Sequence, residues 1–455
     1  MSKVCAIILA AGQSKRFKSN KPKILFNICG HPMIFFPVEA IKKSGIKKIA
    51  IVTNKDFDKE VRQTFAGDKN ISFAIQKMQL GTADAVKAAR TAVDKSCEYI
   101  FIMPGDVPLA KPDTIKNFVS KAIAEGVVCS LLTMKPCDPA NYGRIVRDSC
   151  DNVKSIVEAK DATEEELSID EVNSGVYLVK KDWLFGAMKK IISTNAQKEF
   201  YLTDIVKIAV DAGEKVTASC VDDEDELMGI NTRMELSEAA MIMRFQILEA
   251  LMLTGVGIQD PLHTYIDCGT KIGRDTTIAP HCFISGKTSI GQGCVIDNGV
   301  VIVDSNIGDN VHIKPYSVLE SSVVKNSSVV GPFARLRPGA VLDSNVKVGN
   351  FVEIKKSRLK KGSKANHLSY IGDATVGSGT NVGCGTITCN YDGKKKHKTI
   401  IGDNVFVGSD VQFVAPVKVG SGSTIGAGST ITGNVPTNSL AIARGHQVVK
   451  KNWKG

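Results

Sequence analysis

The sequence predicts two domains of different fold class, an N-terminal α/β domain with a Rossmann-like sheet and a C-terminal left-handed parallel β-helix, joined by one helix. Three observations lead to this prediction. Short apolar strands alternate with helical stretches before residue 230, a segment without Pro or Gly follows, and an apolar residue then recurs at almost every sixth position between residues 272 and 431. Alternating strands and helices are typical of a parallel sheet. A period of six is typical of hexapeptide repeats that coil into a β-helix.

The N-terminal sheet is predicted from five apolar runs that are separated by segments of helical spacing. The first run, Val4–Leu9, is apolar at successive positions, as expected of a strand that helices cover on both faces. The other predicted strands are residues 49–53, 72–76, 99–103 and 127–134, and the clearest helical segments are residues 33–43 and 82–93. This order of elements favours a mainly parallel sheet.

One long helix is predicted between the two domains. Residues 232–254 contain neither Pro nor Gly and are rich in Ala, Leu, Met and Glu. Asn231 or Thr232 is the expected N-cap, and Gly255 is expected to lie near the end of the helix. The predicted boundaries are therefore 1–231 for the α/β domain, 232–254 for the linker helix and 255–455 for the β-helix domain.

The C-terminal repeat is regular over most of its length. Apolar residues recur with a step of six in three series, residues 272–302, 330–354 and 401–431. The gap before the last series is a break in the repeat, and we expect added loops there, one before Ile371 and another at the NYDG segment, residues 390–393. Binding and catalytic residues are often carried by loops on a regular scaffold.

Composition and charge limit the classes of function. The chain has 455 residues, of which 43% are hydrophobic and 23% charged, as in an ordinary protein of two or three domains. Its 12 cysteines are scattered without a CxxC pair, so reduced thiols are expected and a zinc site is not. The net charge of +11 occurs with only 6% aromatic residues, which favours small anionic substrates over nucleic acid. No signal peptide or membrane helix is recognised, so we expect a cytoplasmic location.

A nucleotide site is predicted at the ends of the apolar runs. The segment LAAGQSKRF, residues 9–17, follows the first strand, and its backbone amides with Arg16 can contact phosphates. Gly81 and Thr82 open a predicted helix, whose first amides can face a ligand. Asp106 follows another strand and is suited to hold Mg²⁺ beside phosphate oxygens. An ordinary strand-to-helix turn and a turn-forming aspartate are the alternative interpretations of the first and last features.

An ordered set of motifs extends this prediction. The motifs are LAAG (9–12) followed by Arg16, SNKPK (19–23), QKMQLGT (76–82), GDVPL (105–109), NYGRI (141–145), IVEAKD (156–161), NSGVY (173–177) and GINTR (229–233). In order and spacing, the set resembles the sugar-1-phosphate nucleotidylyltransferases. Together with the hexapeptide repeats, nearly the whole chain is similar to the bifunctional bacterial enzymes that make UDP-N-acetylglucosamine.

The resemblance implies an α/β nucleotidylyltransferase domain that uses UTP as uridylyl donor. It implies Mg²⁺ bound by Asp106 and Asn231, with Arg16 and Lys23 as catalytic residues that offset phosphate charge. The residues implied to contact UTP or UDP-N-acetylglucosamine are Leu9, Ala10, Ala11, Gly12, Lys23, Gln76, Gly81, Thr82, Pro104, Gly105, Asp106, Gly143, Glu158, Asn173 and Asn231.

The resemblance also implies that the β-helix domain transfers an acetyl group from acetyl-CoA to glucosamine 1-phosphate. An amine must lose a proton before it attacks a thioester, so a neutral histidine is a suitable base, and the resemblance assigns this role to His367. The residues implied for glucosamine 1-phosphate are Arg337, Lys355, Tyr370 and Asn381. Those implied for acetyl-CoA are Cys384, at a position where Ala is usual, Asn390, Tyr391, Ser409, Ala427 and Arg444.

The resemblance further implies a homotrimer that acts on small molecules, without nucleic-acid or membrane partners. One alternative is a single-activity nucleotidylyltransferase with the β-helix as a trimerising scaffold. Such a scaffold has no need for His367, Arg337 and Lys355 together. The other alternative is a non-catalytic regulatory subunit, which would lack metal- and phosphate-contacting residues such as Lys23 and Asp106.

Overall fold

A computed structural model of the chain describes residues 3–139 and 141–453, without the side chain of Lys15. The chain divides into two units, Met1–Met243 and Arg244–Gly455. The division falls inside a single helix, Arg233–Leu253, which occupies the segment that the sequence predicts to be helical. Within the described residues, every helix is too short or too polar to pass through a bilayer.

The first unit is built on a sheet with helices on both faces. Its strands are β1 (Val4–Leu9), β2 (Asn27–Ile28), β3 (His31–Pro32), β4 (Lys48–Thr53), β5 (Ile71–Ile75), β6 (Tyr99–Pro104), β7 (Cys129–Met134), β8 (Arg144–Arg147), β9 (Val153–Val157), β10 (Val172–Lys180) and β11 (Val216–Val221). Its helices are α1 (Phe35–Lys43), α2 (Asp58–Thr64), α3 (Thr82–Ala88), α4 (Pro112–Ala124), α5 (Glu164–Leu167), α6 (Lys181–Ala187) and α7 (Asp204–Asp211), and α8 (Arg233–Leu253) follows. Short 3-10 turns are Lys15–Phe17, Lys23–Leu25, Ala89–Thr91 and Glu224–Leu227.

The strand order in the main sheet is β11-β7-β10-β6-β1-β4-β5. Neighbours along this order run parallel except at β10, which is antiparallel to both β6 and β7. The prediction of a mainly parallel sheet is confirmed, and the antiparallel strand is an addition that the sequence did not indicate. Because β1 and β6 are parallel with Leu9 beside Pro104, the loops that follow these two strands meet at one carboxyl edge.

The sheet is buried on both faces, which explains the continuous apolar composition of β1. Ala6 and Ile8 pack in one hydrophobic cluster, and Cys5 and Ile7 pack in the other. Side chains of a strand alternate between faces, so an all-apolar strand is stable only between two layers. Each fully buried isoleucine contributes about 1.5–3 kcal/mol relative to exposure.

The second unit is the parallel β-helix of hexapeptide repeats. A 3-10 turn, Pro261–His263, lies in its first coil. Its larger sheet contains Gly257–Ile258, Tyr265–Ile266, Thr277–Ile278, Phe283–Ser285, Val295–Ile296, Val301–Val303, His312–Ile313, Val318–Glu320, Val329–Val330, Arg335–Leu336, Lys347–Lys355, Lys364–Gly372, Asn381–Val382, Ile387–Cys389, Phe406–Val407, Gln412–Val414, Thr424–Ile425, Thr430–Ile431 and Leu440–Ala441. Its smaller sheet contains Lys271–Ile272, Ser289–Ile290, Asn306–Ile307, Val323–Val324, Val341–Leu342, Arg358–Leu359, Ala374–Val376, Thr399–Ile401 and Val417–Val419. The parallel coils and the hexapeptide repeats confirm the predicted left-handed β-helix fold of this unit.

The six-residue period places one apolar side chain per strand inside the helix. Ile278, Ile296, Ile313, Val330 and Val348 pair in register on successive coils, and each is almost fully buried. Such stacked branched residues form the hydrophobic core of the unit. The period therefore predicts the buried residues of its three series, while interior residues between the series, such as Leu319 and Leu359, fall outside it.

The two expected breaks in the repeat have different outcomes. Ile354 pairs directly with Ile371 in the regular register, so the expectation of an added loop before Ile371 is wrong. The spacing in the sequence changes there because the coil is shorter by one residue, since the buried Leu359 of the smaller sheet follows Ile354 after five positions and not six. The second expected loop is present, because Ile387 pairs with Gln412 and the added residues form a hairpin closed by a bridge between Tyr391 and Lys396.

Candidate active sites

The carboxyl edge of the N-terminal sheet borders a cavity of about 680 Å³. The loops after β1 and β6 and the start of α3 form its walls. The predicted nucleotide residues that line it are Leu9, Ala10, Ala11, Gly12, Lys23, Gln76, Gly81, Thr82, Pro104 and Asp106. The structure therefore brings these residues together from four separate motifs of the sequence.

The loop after β1 is held by hydrogen bonds to its backbone. The carbonyl of Ala11 accepts from Asn54 Nδ2 at 3.1 Å and from Gln79 Nε2 at 2.8 Å. The amide of Gly105 donates to the carbonyl of Leu9 at 2.9 Å, which joins this loop to the loop after β6. Sequence reasoning missed Gln79, although it is the second glutamine of the QKMQLGT motif.

The start of α3 is fixed by close packing around Gly81. Its φ is +118°, and a Cβ atom at this position would lie 2.5 Å from the carbonyl oxygen of Phe200. No residue other than glycine fits such a position without displacing backbone. Gln76 is buried and donates from Nε2 to the carbonyl of Gly81 at 3.0 Å and to Asp84 Oδ2 at 2.9 Å, so its carboxamide has a fixed orientation.

The predicted catalytic and metal-binding residues form one cluster. Lys23 Nζ forms an ion pair with Asp106 Oδ2 and donates to Asn231 Oδ1 at 2.7 Å. Arg16 donates to the same Asn231 oxygen at 2.9 Å. The amide of Ile230 donates to the carbonyl of Asp106 at 2.9 Å, which keeps the segment before α8 beside the loop after β6. The Lys23 and Asp106 side chains are only 13% and 18% exposed.

The geometry of this cluster fits a bound magnesium ion. Asp106 Oδ2 and Asn231 Oδ1 converge on one cationic centre, which the ammonium group of Lys23 provides. A carboxylate and an amide oxygen are ligands that Mg²⁺ accepts, and it commonly takes its remaining ligands from phosphates and water. The two oxygen atoms, Asp106 Oδ2 and Asn231 Oδ1, are therefore of the type that Mg²⁺ binds, and both point to the same position.

The predicted sugar-contacting residues lie together at β8, β9 and β10. The amide of Asn173 donates to the carbonyl of Gly143 at 2.8 Å, and Glu158 Oε2 lies 3.5 Å from the Cβ position of Gly143. Burial raises the pKa of Glu158, and a hydrogen bond of 3.2 Å from Thr203 Oγ1 opposes that shift. The backbone of β10 approaches the cavity wall, since a Cβ atom at Gly175 would lie 3.0 Å from Pro104.

Lys160, Gln197 and Glu199 also line the cavity, and sequence reasoning did not identify them. Lys160 Nζ donates to Gln197 Oε1 at 3.1 Å, and Gln197 Nε2 donates to the hydroxyl of Tyr201 at 2.8 Å. Gln197 and Glu199 belong to no recognised motif, whereas Lys160 lies in the IVEAKD motif, in which only Glu158 was assigned a contact.

In the β-helix unit, His367 is exposed in a groove of about 560 Å³. Its Nδ1 lies 3.3 Å from Asn350 Oδ1 on the preceding coil. The groove is also lined by His312, Lys314 and Lys347, so it carries positive charge. His312 Nε2 is 2.8 Å from Asp297 Oδ2, which distinguishes it from His367 because a carboxylate already holds it.

The residues predicted for glucosamine 1-phosphate occupy neighbouring coils. Arg337 donates to Glu353 Oε1 at 2.7 Å, and the pKa of Arg337 is raised chiefly by this hydrogen bond. Tyr370 pairs in register with Glu353. The pKa of Lys396, on the hairpin, is lowered chiefly by the neighbouring Lys355, whose positive charge disfavours a second ammonium group. Two adjacent ammonium groups favour a bound anion between them. Asn381 lies on the next coil, beside Lys364.

The residues predicted for acetyl-CoA follow one corner of successive coils. The amide of Asp410 donates to the carbonyl of Cys384 at 2.6 Å, and the amide of Gly428 donates to the carbonyl of Ser409 at 2.9 Å. Arg444 Nη1 donates to the carbonyl of Ala427 at 2.8 Å. Cys384, Ser409, Ala427 and Arg444 are all exposed along this corner.

Asn390 and Tyr391 begin the hairpin that forms the loop predicted at the NYDG segment. Asn390 is buried and donates to Asp373 Oδ2 at 2.5 Å, whereas the Tyr391 hydroxyl donates to the carbonyl of Gly393 at 2.6 Å. Asp392 accepts from the backbone amides of Lys394 and Lys395 and contacts His397, and these bonds lower the pKa of Asp392 to about 2. The hairpin is therefore internally stabilised.

Protein-family models match both units of the chain. The nucleotidyl transferase model matches residues 5–247, the GMPPB C-terminal domain model matches residues 266–348, and the bacterial transferase hexapeptide model matches residues 398–433. The chain is 48% identical over 454 residues to the bifunctional protein GlmU of Geotalea uraniireducens, covering 100% of the chain and 99% of the relative. The relatives of the same name from Pelobacter propionicus and Geotalea daltonii are 48% and 49% identical over 454 residues, covering 100% of the chain and 98% and 99% of the relatives. Identity at this level over both lengths shows that the chain belongs to the bifunctional GlmU family.

Proposed function

We propose that the N-terminal site transfers uridylyl from UTP to N-acetylglucosamine 1-phosphate, and that the β-helix site acetylates glucosamine 1-phosphate with acetyl-CoA. As a member of its family, the chain is a bifunctional enzyme of UDP-N-acetylglucosamine synthesis with both transferase activities. The observation that best supports the residue assignments is the convergence of Lys23, Asp106, Asn231 and Arg16 at one edge of the nucleotide cavity.

In the uridylyl step, a phosphate oxygen of the sugar phosphate attacks the α-phosphorus of UTP in line with the leaving pyrophosphate. Lys23 and Arg16 donate to phosphate oxygens and offset the charge that develops on them. Asp106 and Asn231 would hold Mg²⁺, which supplies positive charge beside the phosphates when bound. The uracil is selected by Gln76, Gly81 and Thr82, and the sugar is held by Gly143, Glu158 and Asn173.

In the acetyl step, His367 accepts a proton from the amino group of glucosamine 1-phosphate, and the neutral amine attacks the thioester carbonyl of acetyl-CoA. An N–C bond forms, the C–S bond breaks, and coenzyme A leaves as the thiol once it is protonated. Donation from His367 Nδ1 to Asn350 leaves Nε2 as the basic atom. Lys355 and Arg337 bind the sugar phosphate, with Asn381 and Tyr370 beside the sugar.

We further propose that the β-helices associate as a homotrimer through a ladder of apolar residues, Tyr316, Phe333 and Phe351. The rings stack at centroid distances of 5.4 and 5.5 Å, and each side chain is about half exposed. All three have positive φ, between +53° and +57°, which costs about 1–2 kcal/mol per non-glycine residue. Phe351 adjoins Asn350 in the His367 groove, so a partner subunit on the ladder would also close this groove.

Phe351→Asp is expected to convert the oligomer into monomers and to lower acetyl transfer, because a charge would be buried in an apolar interface. Light scattering with size-exclusion chromatography measures the mass. Phe283→Asp is the matched control, because Phe283 is an exposed aromatic outside the ladder that should leave the mass unchanged. A Phe351→Asp protein of wild-type mass would show that the ladder is not the interface.

The proposed pathway is tested by incubating the purified protein with glucosamine 1-phosphate, acetyl-CoA, UTP and Mg²⁺ while following thiol and pyrophosphate together. Release of both products, with pyrophosphate dependent on acetyl-CoA, is the expected result. Pyrophosphate from supplied N-acetylglucosamine 1-phosphate without thiol release would support the scaffold alternative. Release of neither product would support the non-catalytic alternative.

A further inference from the structure

The side-chain amide of Asn231 is held in one of its two possible orientations. Nδ2 donates to the carbonyl of Gly229 at 3.1 Å, while Oδ1 accepts from Lys23 at 2.7 Å and from Arg16 at 2.9 Å. A flipped amide would direct its N–H groups at two cations and its oxygen at a carbonyl. Hydrogen bonding therefore fixes the oxygen, rather than the nitrogen, toward the position where Asp106 also presents its carboxylate.

The backbone of Asn231 is held by the first turn of α8. Glu235 accepts hydrogen bonds from the amide of Asn231 and, at 3.0 Å, from the amide of Thr232. Thr232 Oγ1 accepts from the amide of Glu235 at 3.2 Å, which completes a capping box. In an ordinary capping box the glutamate reaches only the N-cap amide. Here Glu235 also accepts a hydrogen bond from the amide of Asn231, the residue before the N-cap, and this bond holds Asn231 against the first turn of α8.

The opposite side of the same segment is held by Tyr142. The amide of Gly229 donates to the Tyr142 hydroxyl at 3.1 Å, and the carbonyl of this glycine receives the Asn231 side chain. Burial raises the pKa of Tyr142, so the phenol stays neutral and keeps its hydroxyl in the hydrogen bond. Glu235 and Tyr142 thus both hold the segment 229–231, and their side chains line an adjoining cavity with Arg16 and Asn231 rather than the nucleotide cavity.

We propose that Glu235 and Tyr142 are positioning residues that keep the Asn231 oxygen directed at the metal. The inference rests on the proposed metal role of Asn231. Neither residue contacts metal or substrate in this scheme. Partners of metal ligands typically affect metal affinity 10–100-fold when they are removed.

Glu235→Ala is expected to weaken Mn²⁺ binding in the presence of UTP by about 10–100-fold, as measured by electron paramagnetic resonance of free Mn²⁺. The Mg²⁺ concentration for half-maximal uridylyl transfer should rise in parallel. Glu235→Gln keeps an acceptor oxygen and should restore most of the affinity. Tyr142→Phe, which removes only the hydroxyl, should weaken Mn²⁺ binding in the same direction but by a smaller factor.

The chain contains a matched control for the loss of a capping box. Thr163, which is exposed, and Glu166, which is partly buried, form the same box at α5, so Glu166→Ala removes the motif at another helix. Its Mn²⁺ affinity should equal that of the wild type. Circular dichroism and thermal unfolding of the same preparations report whether the N-terminal unit of each variant is folded, since acetyl transfer takes place in the other unit.

Two outcomes separate this inference from the proposed metal site. If Asn231→Ala weakens Mn²⁺ binding but Glu235→Ala and Tyr142→Phe do not, the positioning role is wrong and the metal site stands. If Asn231→Ala itself leaves Mn²⁺ affinity unchanged, the proposed metal role of Asn231 is wrong. If Glu235→Ala lowered the thermal stability but left the Mn²⁺ affinity at the wild-type value, Glu235 would only cap the helix and would have no positioning role.

Discussion

Asp106→Asn is expected to lower uridylyl transfer by about 10³-fold, because the substitution removes the only negative charge among the proposed metal ligands. The amide keeps an oxygen but cannot balance Mg²⁺, and it also removes the ion pair with Lys23. Metal charge contributes several kcal/mol to such transition states, and each 1.36 kcal/mol corresponds to about a factor of ten in rate. Pyrophosphate release at saturating UTP and N-acetylglucosamine 1-phosphate measures the effect.

The acetyltransferase site of the same molecule provides the internal control for this variant. Acetyl transfer by Asp106→Asn should equal that of the wild type, since the two sites lie in different units. Asp113→Asn, at an exposed carboxylate in the first turn of α4, should change neither activity. Equal loss of both activities in a folded Asp106→Asn preparation would contradict the assignment of the two reactions to separate sites.

His367→Ala is expected to lower acetyl transfer by about 10²–10⁴-fold, the range typical of a lost general base. The amine of glucosamine 1-phosphate is largely protonated at neutral pH, so without His367 water must accept the proton. The dissociation constant of acetyl-CoA should change much less than the rate, because the proposed base acts on the sugar amine, although the predicted CoA residues continue the same corner from the coil next to His367. The measurement is thiol release at saturating substrates, together with the dissociation constant of acetyl-CoA.

His263→Ala is the matched control, because this exposed histidine of the same unit is paired with Asp260 and lies outside the groove. It should leave both activities unchanged, and uridylyl transfer by His367→Ala should also be unchanged. If His367→Ala transferred acetyl at the wild-type rate, His367 would not be the base. His312, the other histidine that lines the groove, would then be the next candidate.

The order of the N-terminal strands along the chain was sufficient to place the nucleotide site. Parallel strands put their carboxyl ends at one edge, so loops as far apart as residues 9–12 and 104–106 had to meet there. The antiparallel β10 was not predicted, since a strand buried on both faces has the same apolar pattern in either direction. Lys160 and Gln197 were missed for a related reason, because polar residues in irregular segments carry no periodic signal.

The β-helix shows the same contrast within one repeat. Apolar residues every six positions determined the buried column, because each coil must present the same side chain to the coil above and below it. The spacing between Ile354 and Ile371 was misinterpreted as an insertion, whereas their direct pairing shows an unbroken coil. A change of period in the sequence cannot distinguish a shorter coil from an added loop, since both shift the next apolar residue.

By itself, the sequence determined the two fold classes, the linker helix and the residue types of both candidate sites, because periodicity and motif spacing are local properties of the chain. Only the tertiary structure decided which atoms face each other. Asn231 reaches Lys23 across 208 residues of sequence, and its amide is oriented by Gly229, Glu235 and Tyr142 together. Hydrogen bonds depend on distances and angles that exist only after the chain has folded, and for that reason the direction of a single oxygen could not be obtained from spacing.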